Sequence, residues 1–143
     1  MLITNEIMKN LPFQSFRKTS FLRVRPLTEK DYQQYNGVIP TKEGRVPFVV
    51  GDYLARGICD EEWPIPGHFF ATNYQRFSEP DAEGFCAYRA LGTRQALQIP
   101  IHFTLYYGND TFLTGNSGDY LVRSGDQVWV TEKSIFEHSY QRV

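Results

Sequence analysis

Ser117 lies in Gly115-Asn116-Ser117-Gly118-Asp119, flanked by glycines as the nucleophile of a serine hydrolase often is. Such a serine works only with a general base, an acid that orients the base and an oxyanion hole. The three histidines, His68, His102 and His138, are scattered, and 143 residues is short for the folds that usually house this chemistry. At the matching position of a related segment, described below, the residue is Val50. Ser117 therefore reads as a turn serine.

Asp52 and Asp119 have the chemistry of general acids or metal ligands. They also have that of carboxylates accepting backbone N–H groups in a turn before a strand. Their recurrence in matching contexts favours the structural role, because a duplicated turn is commoner than a duplicated active site. Arg56 and Arg123 each follow a tyrosine by three positions. Strand alternation places Leu54 and Arg56 on one face, opposite Tyr53. Each guanidinium then needs an ionic partner, a route to solvent or a bound anion. Asp52, Asp60 or their equivalents could pair with it, and a phosphate would also suit the planar fork. Trp63 and Trp129 serve as core anchors or, where a ring is exposed, as stacking platforms for a base or sugar. Arg23 and Arg25 share one strand face, expected to be the wet one. With Arg17, Lys18 and Arg45 they form a basic patch or simply protect an edge strand.

Metal and cofactor chemistry find little footing. No His/Cys pair has ligand spacing, Cys59 and Cys86 lie in no CxxC, and the glycine-rich run GNDTFLTGNSGD lacks the lysine of a phosphate loop. No metal and no cofactor are expected.

The elements that must hold these residues repeat. Placing Gly51–Arg76 over Gly118–Arg142, with one residue deleted near Cys59, aligns Gly-Asp-Tyr-Leu, Arg56 with Arg123, and Asp60 with Asp126. Further on, Trp63 meets Trp129, Phe70 meets Phe136, and both copies end in Tyr-Gln-Arg. Both tryptophans of the chain fall in register, and such a period decides the fold before other signals. The expected division is an N-terminal extension 1–15, a repeat 16–77, a linker 78–84 (SEPDAEG) and a second repeat 85–143, packed as one domain. SFLRVRPL alternates as a half-buried strand does. TEKDYQQYN offers Thr28 as an N-cap with Asp31 three residues on. RVPFVV, DYLAR and EEWPI read as short strands, with a turn at Gly51-Asp52. Phe70 and Tyr74, like Phe136 and Tyr140, are spaced to share one face of a closing helical turn. The fold class is strand-rich α+β, two tandem pseudo-symmetric units each ending in a short helix.

GDYLVRSGDQVWVTEKSIFEHSYQRV resembles the C-terminal half of small phage and bacterial domains named for a Pro-Gly-Asp-Tyr-Gly motif. Gly118-Asp119-Tyr120, Leu121-Val122, Trp129, Phe136 and Tyr140 carry the likeness, and Gly51-Asp52-Tyr53, Trp63, Phe70 and Tyr74 carry it again. Ser117 and Val50 stand where that motif has proline, and no glycine follows either tyrosine. The resemblance implies a fold and a phage or mobile-element setting, and no particular activity.

Composition sets the outer bounds. A chain that is 41% hydrophobic and 22% charged can bury a core. A net charge of −1 gives no general affinity for nucleic acid or anionic membranes. Two cysteines, no leader-like start and no long apolar run point to a soluble, cytoplasmic protein. The function expected is a non-catalytic protein-interaction or ligand-binding module. It would bind through a groove between repeats lined by Arg56, Arg123 and exposed aromatics. Two alternatives stay open. One is a binder of nucleotides or other phosphate-bearing small molecules, an enzyme among them, with arginine on phosphate and tryptophan stacking. The other is a structural or assembly subunit, with a homodimer as one form.

Overall fold

The computed structural model describes residues 1–108 and 110–143, with Tyr107 described by its backbone alone. The chain opens with β1 (Leu2–Ile3), α1 (Asn5–Met8), β2 (Gln14–Lys18), β3 (Leu22–Pro26) and α2 (Glu29–Tyr35). There follow β4 (Val38–Pro40), β5 (Arg45–Pro47), β6 (Tyr53–Arg56), β7 (Glu62–Ile65), α3 (Gly67–Asn73) and β8 (Tyr74–Arg76). The remainder is β9 (Cys86–Ala90), β10 (Arg94–Gln98), β11 (Phe103–Gly108), β12 (Thr111–Gly115), β13 (Tyr120–Ser124), β14 (Gln127–Thr131), α4 (Lys133–Ser139) and β15 (Tyr140–Arg142). The class is strand-rich α+β. No helix among the described residues is long and apolar enough to cross a membrane.

The chain packs as two compact units, Met1–Thr19 with Thr93–Val143 (unit 1) and Ser20–Gly92 (unit 2). These bounds differ from 16–77 and 85–143, and two strands cause the difference. β2 pairs with β10 and β15, so it belongs to unit 1, and β9 pairs with β3 and β8, so it belongs to unit 2. Ser78–Gly84, expected as a linker, is a turn inside unit 2. Asp81 Oδ1 accepts the backbone N–H groups of Glu83 and Phe85 there, and Ser78 Oγ accepts that of Ala87. Residues 1–15 are no appendage either. Leu2 and Ile3 pair in parallel with Thr104 and Leu105, and Ile3 is fully buried.

In unit 2 the five-stranded sheet runs β7-β6-β3-β9-β8, beside a β4–β5 hairpin. Thr28 caps α2 through the expected capping box with Asp31, and Asn36 ends the helix in the left-handed region. α3 packs on one sheet face, over Leu22, Val24, Ala55 and Ile65. Phe70 stacks between Tyr53, at 4.1 Å between centroids, and Tyr74, at 5.1 Å. The other face buries Leu54 and Phe85 with Leu27, Ile39 and Phe48. RVPFVV is a strand only through Pro47; Val49 and Val50 are exposed.

In unit 1 the five-stranded sheet runs β14-β13-β10-β2-β15, and β1, β11 and β12 form a smaller sheet. α4 seats Phe136 against Ala96 and Val122. Phe136 lies stacked between Tyr120, at 3.8 Å, and Tyr140, at 4.4 Å, with Phe16 meeting it edge-on at 5.0 Å. Burying one such phenylalanine stabilises a fold by roughly 2–3 kcal/mol. Tyr74 and Tyr140 stay beside their phenylalanines as expected, yet both are already extended. Strand pairing with Ala90 and with Lys18 draws Tyr-Gln-Arg out of each helix into an edge strand.

Candidate functional site

The two aspartates hold equivalent positions. Asp52 Oδ2 accepts Val49 N–H and its Oδ1 accepts Gly67 N–H, both at 3.0 Å. Asp119 Oδ2 accepts Asn116 N–H at 2.9 Å and its Oδ1 accepts Lys133 N–H at 3.0 Å. Each carboxylate closes the turn before a strand and clasps the first residue of α3 or α4. A carboxylate is well placed there, since both N–H groups would otherwise lack a partner. Ser117 Oγ donates to the Pro100 carbonyl at 2.6 Å on an exposed turn. His138 contacts the Ser134 carbonyl through Nδ1, and His68 and His102 are exposed. Among the described residues no group of three or more His, Cys, Asp or Glu could hold a metal ion. Cys59 is exposed, Cys86 is buried, and neither is in a disulfide.

Three arginines converge in unit 2. The register sets Arg23 directly opposite Arg56, and both project on the face opposite α3, as does Arg25. Phe85, only 3% exposed, lies beneath them. The guanidinium carbons stand 5.8 Å (Arg23), 5.6 Å (Arg25) and 4.3 Å (Arg56) from its ring centroid. Like charges facing each other across strands repel, and each arginine has an acid to offset this. Arg56 pairs with Glu62, its cross-strand neighbour, at 2.8 Å, rather than with Asp52 or Asp60. Arg23 reaches Asp60 at 3.4 Å. Arg25 gives Asp31 two hydrogen bonds, at 2.8 and 3.0 Å. The Arg25 bonds, with those from Thr28, hold the Asp31 carboxyl at about 2 against the opposing effect of burial, and the same pair raises the Arg25 pKa. The face is thus only half wet: the Arg25 side chain is 21% exposed and that of Arg23 46%.

Arg123 occupies the corresponding place in unit 1. Its guanidinium carbon lies 4.0 Å from the Phe13 ring centroid. Nε donates to Gln95 Oε1 at 2.7 Å and Nη1 to the Met8 carbonyl at 3.4 Å. Its cross-strand neighbour is Val128.

Trp63 and Trp129 are half-buried and pack against the cores beneath α3 and α4. Their partners in register are Ala55 and Val122, one residue before Arg56 and Arg123. Alternation therefore puts each tryptophan on the opposite sheet face from its arginine. Within each unit, therefore, arginine and tryptophan do not share a sheet face on which one ligand could meet both.

Phe13 and Phe85 carry these clusters and were missing from the expected site. A signal for them exists: Phe13-Gln14-Ser15-Phe16-Arg17 and Phe85-Cys86-Ala87-Tyr88-Arg89 share Phe-x-x-aromatic-Arg. Unit 2 also shows an exposed aromatic pair outside the expected site. Phe21 and Phe77, 52% and 48% exposed, meet edge-to-face at 5.4 Å, and Arg89 lies over Phe77 at 5.0 Å. Comparison with family models, with curated proteins and with solved structures returned no match.

Proposed function

We propose that this chain is a non-catalytic protein-interaction module, built from two copies of one strand-rich unit, that binds through the Phe21–Phe77–Arg89 patch of unit 2. The observation that carries the binding reading is that patch. Two half-exposed phenylalanines sit in contact with an arginine over one of them, Phe77, and aromatic residues with arginine are the types that dominate interface energetics. The side chains with catalytic potential are engaged elsewhere, Asp52 and Asp119 in turns and Ser117 on a carbonyl.

Two sheets with matching strand orders support the duplication, as do the paired aspartates and the paired Tyr-Phe-Tyr stacks. On this reading the leading strands are exchanged: β2, which opens the first copy, completes the sheet of the second, and β9 does the reverse. Thr19-Ser20-Phe21 and Leu91-Gly92-Thr93 are the short connectors at which the exchange occurs. The phage or mobile-element setting implied by the Pro-Gly-Asp-Tyr-Gly resemblance belongs to the same proposal.

The test is site-specific photocrosslinking in the producing cell, with p-benzoylphenylalanine at position 77 and, as control, at exposed Phe112. One discrete adduct from position 77, lost on Arg89→Glu, is the expected result. The same adducts from both positions, or none from position 77, would overturn the proposal.

A further inference from the structure

Arg123 differs from Arg56 in one respect that bears on ligands. Both guanidinium groups stack on a phenylalanine ring, buried Phe85 for Arg56 and half-buried Phe13 for Arg123, and both project from the strand next to the sheet edge. Glu62 stands across from Arg56 and neutralises it, whereas Val128 stands across from Arg123. Among the described residues no carboxylate lies within ion-pair reach of Arg123, and Nη2 has no hydrogen-bond partner. Gln95 and the Met8 carbonyl fix the group's orientation, so little side-chain freedom remains to be lost on binding. The guanidinium lines an open depression of about 310 Å³, with Asn5, Met8, Lys9, Asp126 and Val128 around it.

We propose that this depression is a binding site for a small molecule bearing a single carboxylate, taken by the free edge of Arg123. Charge decides between oxyanions. Lys9 is already paired with Glu6 at 3.0 Å, and Asp126 sits on the rim. Arg123 is thus the lining cation without a carboxylate partner, and the negative charge of Asp126 on the rim cancels any net positive charge around it, so a monoanionic carboxylate is tolerated where a phosphate dianion is disfavoured. Met8 and Val128 offer apolar contact to the rest of such a molecule, and the volume suits a small one. The site shares no residue with the patch proposed for unit 2, so either can fail without the other.

The probe is benzoate, titrated at constant ionic strength against the full-length protein, with the backbone amides of Met8 and Gly125 followed by NMR. Inorganic phosphate and chloride run as separate arms. A saturable benzoate shift is expected, with affinity about tenfold lower in Arg123→Gln and in Val128→Glu, which places a carboxylate where unit 2 has Glu62. Arg123→Gln keeps the test valid if Val128→Glu fails to fold. A benzoate response no different from chloride, or unchanged binding in the folded variants, overturns the site. Saturation by phosphate at lower concentration than benzoate overturns the carboxylate assignment.

Discussion

Asp31 takes both arms of the Arg25 guanidinium, at 2.8 and 3.0 Å, while also accepting the Thr28 backbone N–H at 2.8 Å. One carboxylate thereby joins the start of α2 to the arginine face of the unit 2 sheet. Its folded pKa, about 2, lies below the ordinary 3.8, so the folded state favours the ionised form. The stabilisation is fully present above about pH 4 and is lost as pH falls toward 2; its size is on the order of 2 kcal/mol. Urea unfolding of the wild type and Asp31→Asn at pH 6 and pH 2.5 checks this. The gap between the two should be wide at the higher pH and mostly closed at the lower.

Glu62→Gln leaves Arg56 without its acid while it faces Arg23, so only the looser Arg23–Asp60 pair still offsets the repulsion. The pair is partly exposed, so the expected loss is modest, about 1–2 kcal/mol, and smaller in high salt. Denaturation midpoints at low and high ionic strength give the readout.

Asp119→Ala removes the acceptor for Asn116 N–H and Lys133 N–H together. A loss of about 2–4 kcal/mol is expected, since charged hydrogen bonds are lost and donors are left unmatched. Asp52→Ala should cost less, because Asp52 is half-buried while Asp119 is 7% exposed. Thermal unfolding of the two variants side by side tests the order.

Gly67→Ala puts a methyl group against the backbone carbonyl oxygen of Gly51, which no rotamer change can relieve. The turn and the start of α3 must part, weakening the Gly67 N–H bond to Asp52. About 1–3 kcal/mol should be lost. Amide exchange should quicken first at Gly67 and Val49, whose N–H groups share that carboxylate.

Phe136→Ala empties the space between Tyr120 and Tyr140 and should cost about 3–5 kcal/mol. Phe136→Leu refills most of the volume without the stacking and should recover about half. Near-ultraviolet circular dichroism should lose tyrosine signal in both variants, because the rings lose their fixed partner.

What was legible in the sequence was local. The Thr28–Asp31 capping box, the Gly51-Asp52 turn and the Phe70/Tyr74 pair involve residues within a few positions of one another, where backbone geometry alone brings them together. Period-two alternation likewise told that Leu54 and Arg56 share a face. Strand partners were beyond such reasoning. Nothing near Phe16 says that it pairs with Arg94, and nothing near Phe85 says that three arginines will cover it. These choices balance hydrogen bonding and burial over distances of tens of residues. Arg56 found Glu62 rather than Asp60 because sheet register, and not spacing along the chain, decides which carboxylate stands opposite. The same register gave Arg123 a valine in that place. By itself the sequence determined the kinds of element, their turns and caps; the tertiary structure alone decided which strand completes which sheet, and so which charges are matched.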